Sequence, residues 1–323
     1  MRKLPLAILF TVNLVAGAQA QDWPVRPITL VLPYAAGGPV DVVGRLMAPR
    51  MSELLGQPVI IENVAGAGGI TGVTRVAKAA PDGYQFVLSA AGTFAHSPTF
   101  FKRLPYNPST DFESIGLAAE APPILIVRKD LPARDLKEFA AYTKANQSKM
   151  QYASGGAGSG AHITCVLLNS AYGINITHVP YRGTSAVYPD LISGRVDYMC
   201  DYIASALPQI RSGSVKAIAT LTRERASVLP DLATAHEQGL PDFDAPGWYA
   251  FSAPKGTPAA IVRRLNKAMS DALDTPAVGN RLRELGTIPV RPERRTPEYY
   301  SGFIVSEIAK WAPPIKATGI AMD

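Results

Sequence analysis

The chain has 323 residues, 47% of them hydrophobic and 18% charged, with 32 Lys and Arg against 26 Asp and Glu, a formal charge of +6. This composition excludes a disordered chain, and a length near 300 residues is natural for two cores rather than one. The basic residues are scattered in small clusters (Arg223 and Arg225, Arg263 and Arg264, Arg294 and Arg295) without an aromatic-interleaved stripe, so no nucleic-acid partner is expected.

Arg2 and Lys3 precede an apolar stretch from 4 to 17 and then Ala18-Gln19-Ala20. That order is a secretory signal, with cleavage expected after Ala20 and a mature start at Gln21. The apolar stretch is short for a bilayer span, and no later segment reaches that length. No cysteine precedes Cys165, which argues against a lipid anchor. An exported, periplasmic protein that is not membrane-embedded is the expectation.

An apolar strand over 28–32 runs into Pro33-Tyr34-Ala35-Ala36-Gly37-Gly38-Pro39-Val40-Asp41. A helix opens at Pro39, where proline forfeits no helical hydrogen bond, and Asp41 suits its first turn. The backbone N–H groups of 36–38, with the helix dipole behind them, would cradle a small anion, carboxylate or phosphate alike. An ordinary strand-to-helix turn is the alternative. In 41–55, Val42, Val43, Leu46, Met47, Met51, Leu54 and Leu55 share one face, and Pro49 predicts a kink. Strands follow at 58–63 and 85–90, trailed by small-residue loops at 63–72 and 89–93, the latter carrying Ala91 and Thr93.

Further on, strands over 124–127, 150–153, 176–180, 196–200 and 215–221 alternate with helices near 134–146, 161–172, 184–193 and 203–212. Alternation of this kind predicts an α/β fold with parallel sheets covered on both faces. The extended apolar runs 120–130 and 247–255 are bounded by Pro or Gly and read as two crossing strands. They divide the mature chain into domain I, 21–122 plus 251–323, and an inserted domain II, 123–250. A double linker lets two domains close like a hinge, a Venus flytrap around whatever lies between them. A helical stretch over 258–284 ends at Gly286, a suitable C-cap, and packs back onto domain I.

Loops at 154–162, 181–184 and 201–203 sit where domain II strands give way to helices. Ligands bind at the carboxyl ends of parallel strands, so loops from both domains predict a cleft between them. Each candidate residue has two readings. Ser154 and Ser159 supply hydroxyls to an anion or cap a helix. His162 faces the cleft or is a structural histidine. Arg182 is the cation for a carboxylate or is solvent-exposed, and Asp201 binds a ligand, orients Arg182 or caps the next helix. Tyr34, Tyr202 and Trp248 wall a ligand or belong to the core.

Gly156-Ala157-Gly158-Ser159-Gly160-Ala161 matches the G-x-G-x-x-A dinucleotide fingerprint, but the acidic residue expected about twenty positions on is replaced by Tyr181-Arg182. An NADP-dependent oxidoreductase is therefore an alternative, against which export counts. No nucleophile elbow, zinc motif or P-loop occurs, and the four histidines (96, 162, 178 and 236) lack metal-ligand spacing. No enzyme, cofactor or metal is expected. Cys165 and Cys200 form a disulfide or stay as buried thiols.

Taken in order, 33–41, Glu62-Asn-Val-Ala-Gly-Ala-Gly-Gly-Ile-Thr-Gly72, Pro81-Asp-Gly-Tyr84, His178-Val-Pro-Tyr-Arg-Gly183, Asp190-Leu-Ile-Ser-Gly-Arg-Val-Asp197, Leu229-Pro-Asp231, Trp248-Tyr-Ala-Phe-Ser-Ala-Pro254 and Gly256-Thr-Pro258 resemble the Bug (Bordetella uptake gene) family. These are the solute-binding components of tripartite tricarboxylate transporters, and the likeness spans essentially all of the mature chain. It implies a type II periplasmic-binding-protein fold, two α/β domains joined by two crossing strands with the ligand cleft between them. The implied ligand is a small carboxylate: a di- or tricarboxylate, an amino acid, nicotinate or an aromatic acid. Tyr34, Ala36, Gly37, Gly38 and Asp41 would form the proximal site, with Ser154, Ser159, Arg182, Thr184 and Asp201 toward the distal group; Gly183 and Tyr202, on the same domain II loops, are further ligand-binding candidates. Ala36 stands where many relatives carry proline, and Arg182 where lysine is common. The partners implied are integral-membrane transporter subunits, with the protein itself a monomer. A sensor subunit for a signalling partner is the alternative.

Overall fold

The computed structural model describes residues 23–322, so the signal sequence expected at 1–20 lies outside the described residues. The first apolar runs form β1 (Ile28–Leu32), β2 (Val59–Asn63) and β3 (Gln85–Ala90), with α1 (Pro39–Leu55) and α2 (Ile70–Ala77) between them. β1 pairs in parallel with β2 on one side and β3 on the other, and it is buried along nearly its whole length. That is the expected state of a strand covered on both faces. α1 runs through Pro49 without interruption and closes on Gly56, whose φ of 74° suits glycine.

Beyond β3 come a π-helical turn at Gly92–His96, α3 (Ser97–Phe100) and β4 (Phe112–Ala121). The chain leaves the first sheet at Pro122, since the next strand, β5 (Pro123–Arg128), belongs to a second one. There follow α4 (Leu136–Asn146), β6 (Gln151–Ser154), α5 (Gly160–Tyr172), β7 (Thr177–Pro180), α6 (Tyr188–Ile192), β8 (Tyr198–Tyr202), α7 (Ile203–Arg211) and β9 (Val215–Thr220). The second sheet runs β7-β6-β8-β5-β9, parallel through β7, β6 and β8, with β5 antiparallel to both its neighbours. The chain returns through 221–246 into β10 (Gly247–Pro254), then α8 (Ala259–Asp274), α9 (Pro276–Glu284), β11 (Ile288–Pro289) and α10 (Pro297–Ala317). The first sheet is thus β11-β4-β10-β3-β1-β2, with β10 antiparallel to β3 and β4.

Side-chain alternation along the strands gives each sheet two apolar faces. Leu30, Leu32, Phe86, Leu88 and Phe251 point one way and Val31, Val87, Leu117 and Ala250 the other; in the second sheet Leu125, Val127 and Tyr198 oppose Ile124, Ile126 and Met199. This is the two-lobed α/β fold that the sequence implied. Pro122 and Pro123 hold both passages together: the Pro122 carbonyl accepts from Ile203 N–H and that of Pro123 from Leu221 N–H.

Local details differ from the sequence expectations. The single helix over 258–284 breaks at Thr275, whose ψ of 123° obeys the steric demand of Pro276, and Gly286 (φ 74°) follows α9. The helix near 184–193 splits into a 3₁₀ turn at Thr184–Ala186 and α6. Of the two states open to the cysteines, the structure takes the bonded one: Cys165 on α5 is joined to Cys200 on β8, their Cα atoms 5.5 Å apart.

Candidate functional site

The carboxyl ends of β1, β3, β6 and β8 all face the gap between the two sheets. A cavity of about 30 Å³ lies there. One lobe contributes Tyr34, Gly38, Pro39, Val40 and Ala90; the other contributes Gly155, Ser159, Gly160, Ala161, Thr184 and Tyr202. The first turns of α1 and α5 therefore meet on one cavity from opposite lobes. Each brings the positive end of a helix dipole and a set of outward N–H groups. No Lys or Arg side chain is among those lining it. Backbone dipoles, rather than a guanidinium, supply the positive partial charge at this cavity.

Asp41 braces the α1 turn instead of facing the cavity. Its Oδ2 accepts from Gly37 N–H (2.9 Å) and Arg45 Nε (2.8 Å), and its Oδ1 from Asn63 Nδ2 (2.9 Å), which also donates to the Tyr34 carbonyl. Burial pushes this carboxyl up, but hydrogen bonds from Arg45, Gly37 and Asn63 outweigh burial and hold it below its ordinary range. Gly37 N–H is consequently engaged within the protein. Gly38, the N-cap of α1, carries no side-chain cap.

On the opposite wall, Ser159 caps α5 by accepting from His162 N–H, and the buried Ser154 hydroxyl bonds Gly156 in its own loop and His178 on the neighbouring strand β7. His162 is buried beside them; Gly158 N–H donates to its Nδ1 at 3.1 Å, and its ring stacks on His178 at 3.9 Å. Asp201 is fully buried, with Oδ2 accepting from Tyr188 and Ser205 (both 2.7 Å) and Oδ1 from Tyr202 N–H. Burial pushes its carboxyl up against those bonds. Thr184 behaves differently. Its buried Oγ1 lies near the Asp201 carboxylate without hydrogen-bonding geometry and has no protein partner.

The 181–185 loop also joins the lobes. Ala35 N–H donates to the Arg182 carbonyl (3.3 Å) and Ser185 Oγ to the Ala36 carbonyl (2.8 Å), while Gly183 lies against Ala35. The Arg182 side chain is exposed rather than in the cavity. Ala36 is exposed too; Ala91 and Thr93 are fully buried behind the π-helical turn, with Thr93 Oγ1 donating to Ala90 O. Trp248 sits in the core, its Nε1 donating to Glu307. The dinucleotide-like loop packs directly on the other lobe: a Cβ on Gly68 would lie 2.0 Å from Ala157 O.

So the structure brings Tyr34, Gly38, Ser159, Thr184 and Tyr202 to one cavity and places Asp41, Ser154, His162, Asp201 and Arg182 around it or outside. Pro39, Val40, Ala90, Gly155, Gly160 and Ala161 were not singled out from the sequence, because none carries a chemically distinctive side chain. Their signal was positional, as neighbours of the strand-to-helix turns.

Residues 43–320 match the family model described as the tripartite tricarboxylate transporter family receptor. Among solved structures, the chain is similar to the periplasmic binding protein BugD, with 38% identity and a TM-score of 0.90 over 93% of this chain and 100% of that one. It is 43% identical to MatC from Rhodopseudomonas palustris with bound malate (TM-score 0.89, 91% of this chain and 100% of that one). It is 32% identical to a second R. palustris protein solved with adipate (TM-score 0.88, 93% and 100%). The chain belongs to the tripartite tricarboxylate transporter receptor family, the Bug solute-binding proteins.

Proposed function

We propose that this protein captures a small organic carboxylate between its lobes and delivers it to the membrane subunits of a tripartite tricarboxylate-type transporter. The observation that carries this reading is the convergence of the α1 and α5 N-termini on one cavity without a lining cation. The malate and adipate bound by its structural relatives are of the same chemical class. The two sheets act as two domains hinged at Pro122 and at the return segment, and closure excludes water and strengthens each N–H dipole on the anion. Binding and release need no chemistry on the ligand. Export after cleavage at Ala20 would place the monomer in the periplasm, where such a ligand is met.

A thermal-shift series on residues 21–323 with malate, succinate, adipate, benzoate and glucose tests the proposal. A ligand that binds only the folded state raises the melting temperature with concentration. At least one carboxylate should do so and glucose should not. Stabilisation by glucose alone would refute carboxylate capture.

A further inference from the structure

The first turn of α5 is seated on the other lobe, and a histidine lies under the seat. We propose that His162 is a proton-operated latch: the closed lobes exclude a proton from it, so acid parts them and releases the ligand. The latch rests on the capture reading and adds its control.

Two rings of the first lobe cover this turn. Phe100, on α3, meets His162 edge-on with ring centroids 5.3 Å apart. A Cβ on Gly158 would lie 2.3 Å from the Phe101 ring, so that loop is pressed against the first lobe as well. Ile163, the next residue of α5, joins the first lobe's apolar cluster. With the lobes together, His162 is 4% exposed. Parting them lifts Phe100 away and gives the ring to water.

In the closed form nothing compensates a charge on this ring. Gly158 N–H already donates to Nδ1 at 3.1 Å, and a proton there would set two donors against each other. Nε2 lies 3.2 Å from the Tyr152 hydroxyl of β6, and the His178 ring of β7 stacks at 3.9 Å. Burial pushes the Tyr152 phenol up and keeps it neutral, while a charged His178 would add repulsion. Among the described residues, no carboxylate acts on the ring. His162 is also the third residue of α5, where the helix dipole disfavours a cation. Burial, with His178 adding less, holds the ring at about 3 in this state, against about 6.5 in water. A proton therefore binds the open form more tightly and, by linkage, favours opening as pH falls through about 6.5. The same turn supplies Ser159, Gly160 and Ala161 to the cavity, so its release dismantles one wall.

Calorimetric titration of residues 21–323 with L-malate at pH 7.5 and pH 5.5 gives one test. A single proton linked to opening should weaken binding about tenfold at the lower pH. His162→Asn, whose amide oxygen can still accept from Gly158, should cut that loss to about twofold. Equal losses in the two proteins would overturn the latch. A second test needs no ligand. In Gly68→Ala, whose added Cβ would meet Ala157 O and hold the lobes apart, the His162 imidazole resonances should titrate within about one unit of 6.5. A ring still neutral at pH 5 in that variant would also overturn the latch. Titration near 6.5 there, with no acid binding to the wild type, would remove carboxylate capture and leave the latch standing.

Discussion

Ser185 Oγ donates a 2.8 Å hydrogen bond to the Ala36 carbonyl, joining the second lobe to the first at the edge of the cleft. It is a contact that only a closed cleft can make. Removing it therefore acts on closure rather than on either core. A net hydrogen bond contributes about 0.5–1.5 kcal/mol, and this one is partly solvated, so Ser185→Ala should weaken ligand binding by about two- to tenfold. The melting temperature without ligand should stay within a degree or two. An affinity equal to wild type, measured by calorimetry on the best acid of the series, would show that the bond adds nothing to closure.

Gly68 gives a sharper test. Its φ of 63° already favours glycine, and an added Cβ would sit 2.0 Å from the Ala157 carbonyl of the opposite lobe. Backbone cannot yield there as a flexible side chain would. Gly68→Ala should leave both sheets folded and hold the lobes apart, lowering affinity at least a hundredfold. Small-angle scattering should then show no contraction on adding saturating ligand, whereas the wild type contracts.

The strand-to-helix loops were legible because glycine clusters mark backbone that other residues resist, and 33–41, 63–72 and 154–162 all proved to lie at the lobe interface. Arg182 shows the limit. Sequence places the residue on a loop at the cleft, but the direction of a long side chain depends on packing around it, and here the backbone carbonyl faces the other lobe while the guanidinium faces solvent. Asp41 and Asp201 were legible as acids on the loops at the cleft, but their hydrogen-bond saturation comes from Arg45, Asn63, Tyr188 and Ser205, residues brought in by the fold. β4 escaped notice because Glu113 and Ser114 interrupt its apolar run, and α10 because Pro313 and Pro314 disguise its last turns. Tyr202 could be read as wall or core from its sequence context; it lines the cavity, and its ring joins the apolar cluster of the first lobe.

The Cys165–Cys200 bond fixes α5, and with it one of the two helix N-termini at the cavity, to the centre of the second sheet. With a sequence separation of 35, loop-closure entropy assigns it about 3–4 kcal/mol. The Cys165→Ala/Cys200→Ala variant should lose stability of that order in urea unfolding. Because the stabilised element carries a turn that lines the cavity, ligand bound there should restore part of the loss. Equal stability of the two proteins under oxidising conditions would remove the bond from the account.

Acid should destabilise the protein well above the range in which carboxylates titrate. The stacked rings of His162 and His178 lie beneath the α5 turn. Gly158 N–H donates to His162 Nδ1, so that nitrogen is unprotonated, and His178 Nε2 meets the Ser154 hydroxyl at 2.8 Å. Burial, with His178 adding a smaller effect, lowers His162 to about 3; burial lowers His178 to about 4. His96, buried against Trp311, is likewise lowered to about 3 by burial and, secondarily, by Lys310. In the unfolded chain these imidazoles titrate near 6.5. Their folded values are depressed, so below pH 6.5 the unfolded state binds protons that the folded state refuses. Their contribution is complete above that pH and declines as pH falls toward 4, each ring removing up to about 1.4 kcal/mol per unit. Urea unfolding at pH 7, 6 and 5 should show a falling midpoint, and His178→Asn should flatten the slope by about one proton. A midpoint constant from pH 7 to pH 5 would mean that these rings are protonated in the fold, and the neutral stack would have to be abandoned.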